Sequence, residues 1–117
     1  MISPLKNRTD FKDLREHGTI LKRGSLSIGF NPANDLLAGV RIAFAVSSSV
    51  GGAVVRNLLR RRLKAILFEI DSSDKPLPPG DYLIRAFPSV VDKSFKELFI
   101  CVESAINGFR KECDLNA

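Results

Sequence analysis

Apolar residues alternate along two stretches of the chain. From Ile20 to Phe30, Leu26, Ile28 and Phe30 point one way while Ser25, Ser27 and Gly29 point the other; further on, Val40, Ile42, Phe44 and Val46 oppose Arg41, Ala43, Ala45 and Ser47. A period of two marks half-buried strands. Asn31-Pro32-Ala33-Asn34-Asp35 is rich in turn formers, and two strands so closely joined are most simply an antiparallel pair. Asp81-Tyr82-Leu83-Ile84-Arg85-Ala86-Phe87 predicts a third strand, stopped by Pro88.

Elsewhere the period lengthens to that of a helix. Thr9 is placed to cap a short helix whose Phe11 and Leu14 share a face, and Gly18 ends it. From about Val54 to Ile70, Val55, Leu59, Leu63, Ile66 and Ile70 form one apolar arc. Ser94-Phe95-Lys96-Glu97 has the form of a capping box, opening a final helix with Phe95, Leu98, Val102, Ala105, Ile106 and Phe109 in one stripe. Between these two helices, the run from Ser72 to Gly80 holds three prolines and reads as a surface loop. The order α-β-β-α-β-α predicts an α+β domain, a single mostly antiparallel sheet packed with helices. A chain of 117 residues, 44% of them hydrophobic, builds one core, so residues 1–117 are read as one domain with its centre at about 9–110.

Charge sharpens this picture. The net charge is +5: residues 1–30 contribute +3, residues 31–53 zero, residues 54–80 another +3, and residues 81–117 −1. The positive charge thus sits in the N-terminal region and the central helix, a distribution that suits a nucleic-acid groove. Within that helix, Arg56, Arg60 and Lys64 stack at i, i+4 and i+8, with Asn57 and Arg61 beside them and Arg62 completing the run. Like charges so spaced repel one another by a few tenths of a kcal/mol per pair on an isolated helix. A polyanion relieves that cost.

Side chains suited to catalysis are sparse. His17, alone of its kind, sits at a predicted helix end, where it bonds the last carbonyls more readily than it catalyses. No Cys/His/Asp cluster has metal-ligand spacing. Ser47-Ser48-Ser49 before Gly51-Gly52 lacks the spacing of a phosphate-binding loop. Asp10, Asp13 and Glu16, interspersed with Arg8, Lys12 and Arg15, read as surface salt links along one helix. No run of about 18 apolar residues could span a membrane and no signal-peptide pattern is present, while Cys101 and Cys113 read as free thiols of a reducing compartment. A cytoplasmic location is expected.

Val46-Ser47, Val50-Gly51 and Ala53-Val54-Val55-Arg56-Asn57, leading into the Arg-rich helix, resemble the signature of the bacterial ribonuclease P protein component. The order of elements agrees from about Thr9 to Phe109. The family's fragment V-S-K-K-V-G-K-A-V-x-R-N-R carries lysines where this chain has Ser48, Ser49 and Gly52, and an arginine in place of Leu58. The resemblance implies a left-handed β-α-β crossover around the basic helix, where general rules favour the right-handed one. It also implies a ribonucleoprotein endonuclease that removes the 5′ leader from precursor tRNA. The partners are then a catalytic RNA and precursor tRNA, with Mg²⁺ held mainly by RNA phosphates and no protein oligomer required. Arg56, Asn57, Arg60, Arg61, Arg62 and Lys64 are the implied contacts to the catalytic RNA. Phe11, Lys12, Arg15 and Arg41 are the candidates for the single-stranded leader, with Lys6 and Arg8 near the entrance and Arg85 a further candidate. Such a cleft stacks bases on rings inside a positive groove.

Other classes remain open on the same residues. A diverged RNA- or DNA-binding module of the same fold would bind nucleic acid without supporting leader removal. An adaptor using the basic helix on an acidic protein would place Leu58, with Val54 and Ala65, at its interface. Phe30, alternating with Leu26 and Ile28, reads as core, and Lys22-Arg23 and Arg110-Lys111 read as solvated.

Overall fold

The computed structural model describes residues 2–33 and 39–115, with side chains as far as Glu112. Of the turn expected over residues 31–35, Asn31 and Pro32 are instead paired as the end of a strand, opposite Asp81 and Gly80, while Asn34-Asp35 and the Cys113 side chain lie outside the described residues. The elements are β1 (Ile2–Pro4), α1 (Arg8–His17), β2 (Thr19–Arg23), β3 (Leu26–Pro32), β4 (Val40–Val46), α2 (Ala53–Asp71), β5 (Gly80–Ala86), a 3₁₀ turn (Pro88–Asp92) and α3 (Phe95–Leu115). One five-stranded sheet has the order β1-β4-β5-β3-β2. The α+β class is as expected, but the sheet is more mixed than the sequence suggests.

Three details depart from the sequence reading, two of them adding parallel pairs. The stretch from Ile20 to Phe30 is a hairpin of two strands, β2 and β3, pairing Arg23 with Leu26 across a tight turn. Gly24 takes φ 58° there, a left-handed conformation that glycine reaches without a Cβ clash. Secondly, β3 and β4 are not neighbours. β5 lies between them, antiparallel to β3 and parallel to β4. A parallel neighbour must be reached by a crossover, and α2 supplies it. Thirdly, β1 extends the far edge, parallel to β4, with Ile2 opposite Val40.

The two faces of the sheet are used differently. α2 and α3 cover one, burying Leu26, Ile28, Phe30, Ile42, Tyr82 and Ile84 against Leu59, Leu63, Leu67, Val102, Ile106 and Phe109. At its centre the Phe30 ring lies 4.7 Å from that of Tyr82 and 5.0 Å from that of Phe109. Phe30 is core, as its alternation implies. Phe95 and Val55 are not: each is about two-fifths exposed, because each stands at the first turn of its helix, beyond the end of the packed face. The capping box forms, with the Glu97 N–H donating to the Ser94 hydroxyl at 3.2 Å.

α1 crosses the opposite face. Its cap is Asn7, not Thr9: the Asn7 Oδ1 accepts from the Thr9 N–H at 3.0 Å, because the helix begins two residues earlier than its apolar pattern shows. The Gly18 N–H closes it on the Leu14 carbonyl at 2.8 Å. Leu14 is fully buried against Gly29, where an added Cβ would stand 2.8 Å from Leu14 Cδ2. Phe30→Ala should cost about 3–5 kcal/mol through cavity formation, read as a lowered urea midpoint; a loss below about 1 kcal/mol would show that the three-ring cluster is not the centre of the core.

Candidate nucleic-acid interface

α2 begins without a side-chain cap and without an acidic residue in its first turn. Its leading N–H groups and positive dipole end are therefore not neutralised locally. At about 100° per residue, Arg56 stands on the same meridian as Leu63 and Leu67, which are fully buried. Arg56 is accordingly half-buried, and its Nε has no hydrogen-bond partner. Arg60 and Lys64 follow on one flank. The Asn57 Oδ1 accepts from Arg60 Nη1 at 3.1 Å, so the asparagine orients the arginine. Arg61 faces outward. Arg62 lies about 160° around the helix from Arg60, on the other flank, where it borders Val55, Leu58 and Val91. The six expected contacts are therefore not one patch. Helical geometry alone separates Arg62.

The β1–β4 edge of the sheet joins two regions that the sequence treats separately. A cavity of about 470 Å³ is lined by Phe11, Ala43 and Phe44, with Lys6, Arg60 and Lys64 at its margins and no carboxylate among its lining residues. Phe11 of α1 and two cations of α2 thus share one space. A second, more open cavity of about 610 Å³ continues along the end of the sheet past Ser47, Ser49, Arg85 and Phe87, again bordered by Arg60. Arg60 connects the two. The strand register extends this strip by aligning Lys22, Ser27, Arg85 and Ala45 in one row across four strands. Lys22, read as merely solvated, places its ammonium 5.0 Å from the Phe87 ring centroid, a cation–π distance.

Lys12 and Arg15 are exposed on α1, with Arg15 one turn beyond Phe11. Arg41 is engaged differently. Its Nε and Nη2 donate to the two Asp81 oxygens at 2.7 and 2.8 Å, and its Nη1 donates to Asp10 at 2.9 Å. The bond to Asp81 raises its pKa above the ordinary value against the opposing effect of desolvation, and the bond to Asp10 adds to the rise. Asp10 therefore links α1 to the sheet instead of joining a surface salt link within its own helix. Phe44, Phe87 and the Lys22 row had no distinct sequence signal: Phe44 alternates with core residues, and the row exists only once the strands are ordered. Among the described residues, no group of three or more His, Cys, Asp or Glu side chains could hold a metal ion, and no helix is long and apolar enough to cross a membrane.

Comparison with known proteins decides the family. The Ribonuclease P family model matches residues 3–110. A ribonuclease P protein component from Thermobifida fusca is 34% identical over 91% of this chain and 77% of its own length; one from Thermus scotoductus is 35% identical over 81% and 52%. The chain belongs to the ribonuclease P protein component family. It spans between about half and about three-quarters of the length of these relatives. In fold it is similar to the RNase P protein of Thermotoga maritima, with a TM-score of 0.74 at 18% identity over 89% of this chain and 94% of that one. A mutant RNase P protein of Staphylococcus aureus gives 0.77 at 18% identity, over 92% and 87%.

The residues carrying the family resemblance, from Val46 to Lys64, run from the end of β4 through the connecting turn into α2. Where ribonuclease P proteins are expected to carry further cations, Ser48, Ser49 and Gly52 are exposed. Leu58 is exposed too, in the apolar groove of about 360 Å³ beside Arg62. Of the cations that α2 retains, Arg56, Arg60 and Lys64 follow one another at i, i+4 and i+8. Replacing these three with alanine should lower the slope of log affinity for RNA against log salt by roughly 2–3, at about 0.7–0.9 per phosphate contact. Arg62→Ala alone should lower it by less than Arg60→Ala; equal losses would show that both flanks of α2 bind the same RNA.

Proposed function

We propose that this protein is the protein subunit of a ribonucleoprotein that removes the 5′ leader from precursor tRNA, with a catalytic RNA performing Mg²⁺-dependent hydrolysis. The observation that carries this reading is the shared cavity: Phe11 and Phe44 offer ring surface, and Lys6, Arg60 and Lys64 border it without a compensating carboxylate. That combination suits a single strand, whose bases stack on rings while its phosphates meet cations. The exposed Lys12 and Arg15 add positive charge along α1. Arg56 and Arg61 add positive charge on α2 toward a folded RNA, with Arg62, on the other flank, the lesser contact.

The side chains suit such a division of labour. Asp10 and Asp81 are paired with Arg41, which supports a reading in which Mg²⁺ is held by the phosphates of the RNA and its substrate. The protein's cations reduce repulsion between those phosphates, which lets substrate and divalent ions bind together at lower Mg²⁺. A cytoplasmic location accompanies this reading and suits the free thiol of Cys101. A second reading, a diverged nucleic-acid-binding module of the same fold, draws support from Ser48, Ser49, Gly52 and Leu58, which leave the start of α2 poorer in charge.

Cleavage of precursor tRNA by a bacterial ribonuclease P RNA, from as close a relative as possible, at low Mg²⁺ separates the two readings. Release of the 5′ leader should depend on added protein; salt-sensitive RNA binding without stimulation would favour the diverged module. Phe11→Ala should weaken binding of precursor tRNA by about 1–3 kcal/mol and leave mature tRNA unaffected. Equal losses on both RNAs would remove Phe11 from leader binding.

A further inference from the structure

Arg41 joins three elements. It stands on β4, donates two hydrogen bonds to the Asp81 carboxylate on the neighbouring β5, and donates a third across to Asp10 on α1 at 2.9 Å. Asp81 is buried. Two carboxylates and one guanidinium sum to one negative charge, and each guanidinium nitrogen already donates to a carboxylate. A cluster of that sign and occupancy is poorly suited to a leader phosphate.

Its position matters for a different reason. Asp10 immediately precedes Phe11, and Leu14 one turn later packs on Gly29. α1 therefore meets the sheet at a polar anchor and an apolar one, with Phe11 between them. Leu14 alone would hold the height of the helix but leave it free to roll about its axis. At a side-chain radius of about 5–6 Å, a roll of about 10° displaces a ring by ~1 Å, enough to spoil a stacking contact. The bond from Arg41 to Asp10 opposes that roll.

We propose that Asp10 and Arg41 are positioning residues of the leader cleft: their ion pair, braced by Asp81, sets the rotation of α1 and so places the Phe11 ring over the cavity it shares with Phe44, Arg60 and Lys64. This rests on the leader-binding reading above. It makes Arg41 a strut and not a phosphate contact, and it makes an acidic residue favourable in a site for a polyanion.

Asp10→Ala separates the two roles by sign. If Arg41 holds phosphate, removing Asp10 frees the guanidinium and deletes a negative charge, so precursor tRNA binds as tightly or more tightly. With the strut, the preference for precursor over mature tRNA falls toward that of Phe11→Ala, by several-fold to about a hundredfold, while the salt slope is unchanged. Asp10→Asn, which keeps an acceptor for Arg41 Nη1, should retain most of the preference. In a Phe11→Ala background, Asp10→Ala should cost nothing further, because both act through one ring. Arg41→Ala should match Asp10→Ala without lowering the salt slope; if that variant fails to fold, Asp10→Ala and Asp10→Asn carry the test. A wild-type protein that binds precursor and mature tRNA equally would defeat the leader reading itself. A discriminating wild type combined with undiminished precursor binding by Asp10→Ala, or with a further loss in the Phe11→Ala background, would overturn the strut alone.

Discussion

β5 lies in the middle of the sheet, bonded to β4 on one side and to β3 on the other. Its Tyr82 and Ile84 are fully buried against the helices. Because β5 runs parallel to β4, the chain must return along the length of the sheet before entering it, and α2 makes that return. The start of α2 is therefore held at the ends of β4 and β5, beside Ser47, Ser49 and Arg85. The cationic residues of the helix acquire their setting from this one pairing. Arg60 and Lys64 line the cavity they share with Phe11 at the β1–β4 edge, Arg62 lies on the opposite flank, and Arg56 is half-buried.

The same pairing keeps the two faces of the sheet distinct. One is saturated with apolar contacts around Phe30, Tyr82 and Phe109, whose rings stack or tilt against one another. The other is only partly roofed, by a ten-residue helix held at Leu14 and Asp10. A rigid sheet with a small, doubly anchored lid is a physical route to a cleft of fixed width, and pre-set width lowers the ordering cost of gripping a flexible strand. The anchors differ in kind. Leu14 on Gly29 is non-directional packing, whereas Arg41 on Asp10 is directional and sets rotation as well as height.

The charge pattern has a corresponding logic. Ser48, Ser49, Gly52 and Leu58 leave the approach to α2 with fewer cations than the family resemblance leads one to expect. Arg85 and Lys22, brought alongside by strand order, supply positive charge on the neighbouring strip of sheet. The cavity bordered by Arg60 and Arg85 has no carboxylate among its lining residues. Exposed apolar surface at Val54, Val55, Leu58 and Val91 gathers instead on the other flank of the helix.

Local periodicity determined much of this protein. The three helices, the strand around Val40–Val46, the strand Gly80–Ala86 and the core role of Phe30 follow from spacing. The family follows from the motif between Val46 and Lys64. Even the separation of Arg62 from Arg60 is legible in helical geometry. These are properties of neighbours along the chain, where fixed rises and turns per residue carry the information. The hairpin at Gly24 was hidden because its strands read as one alternating run. Three matters belonged to the tertiary structure alone: the insertion of β5 between β3 and β4, the meeting of Phe11 with Arg60 and Lys64, and the capture of Arg41 by Asp10 and Asp81. Each joins residues distant in sequence, and long-range pairing is chosen by the combined burial of whole faces, a sum that no local window contains.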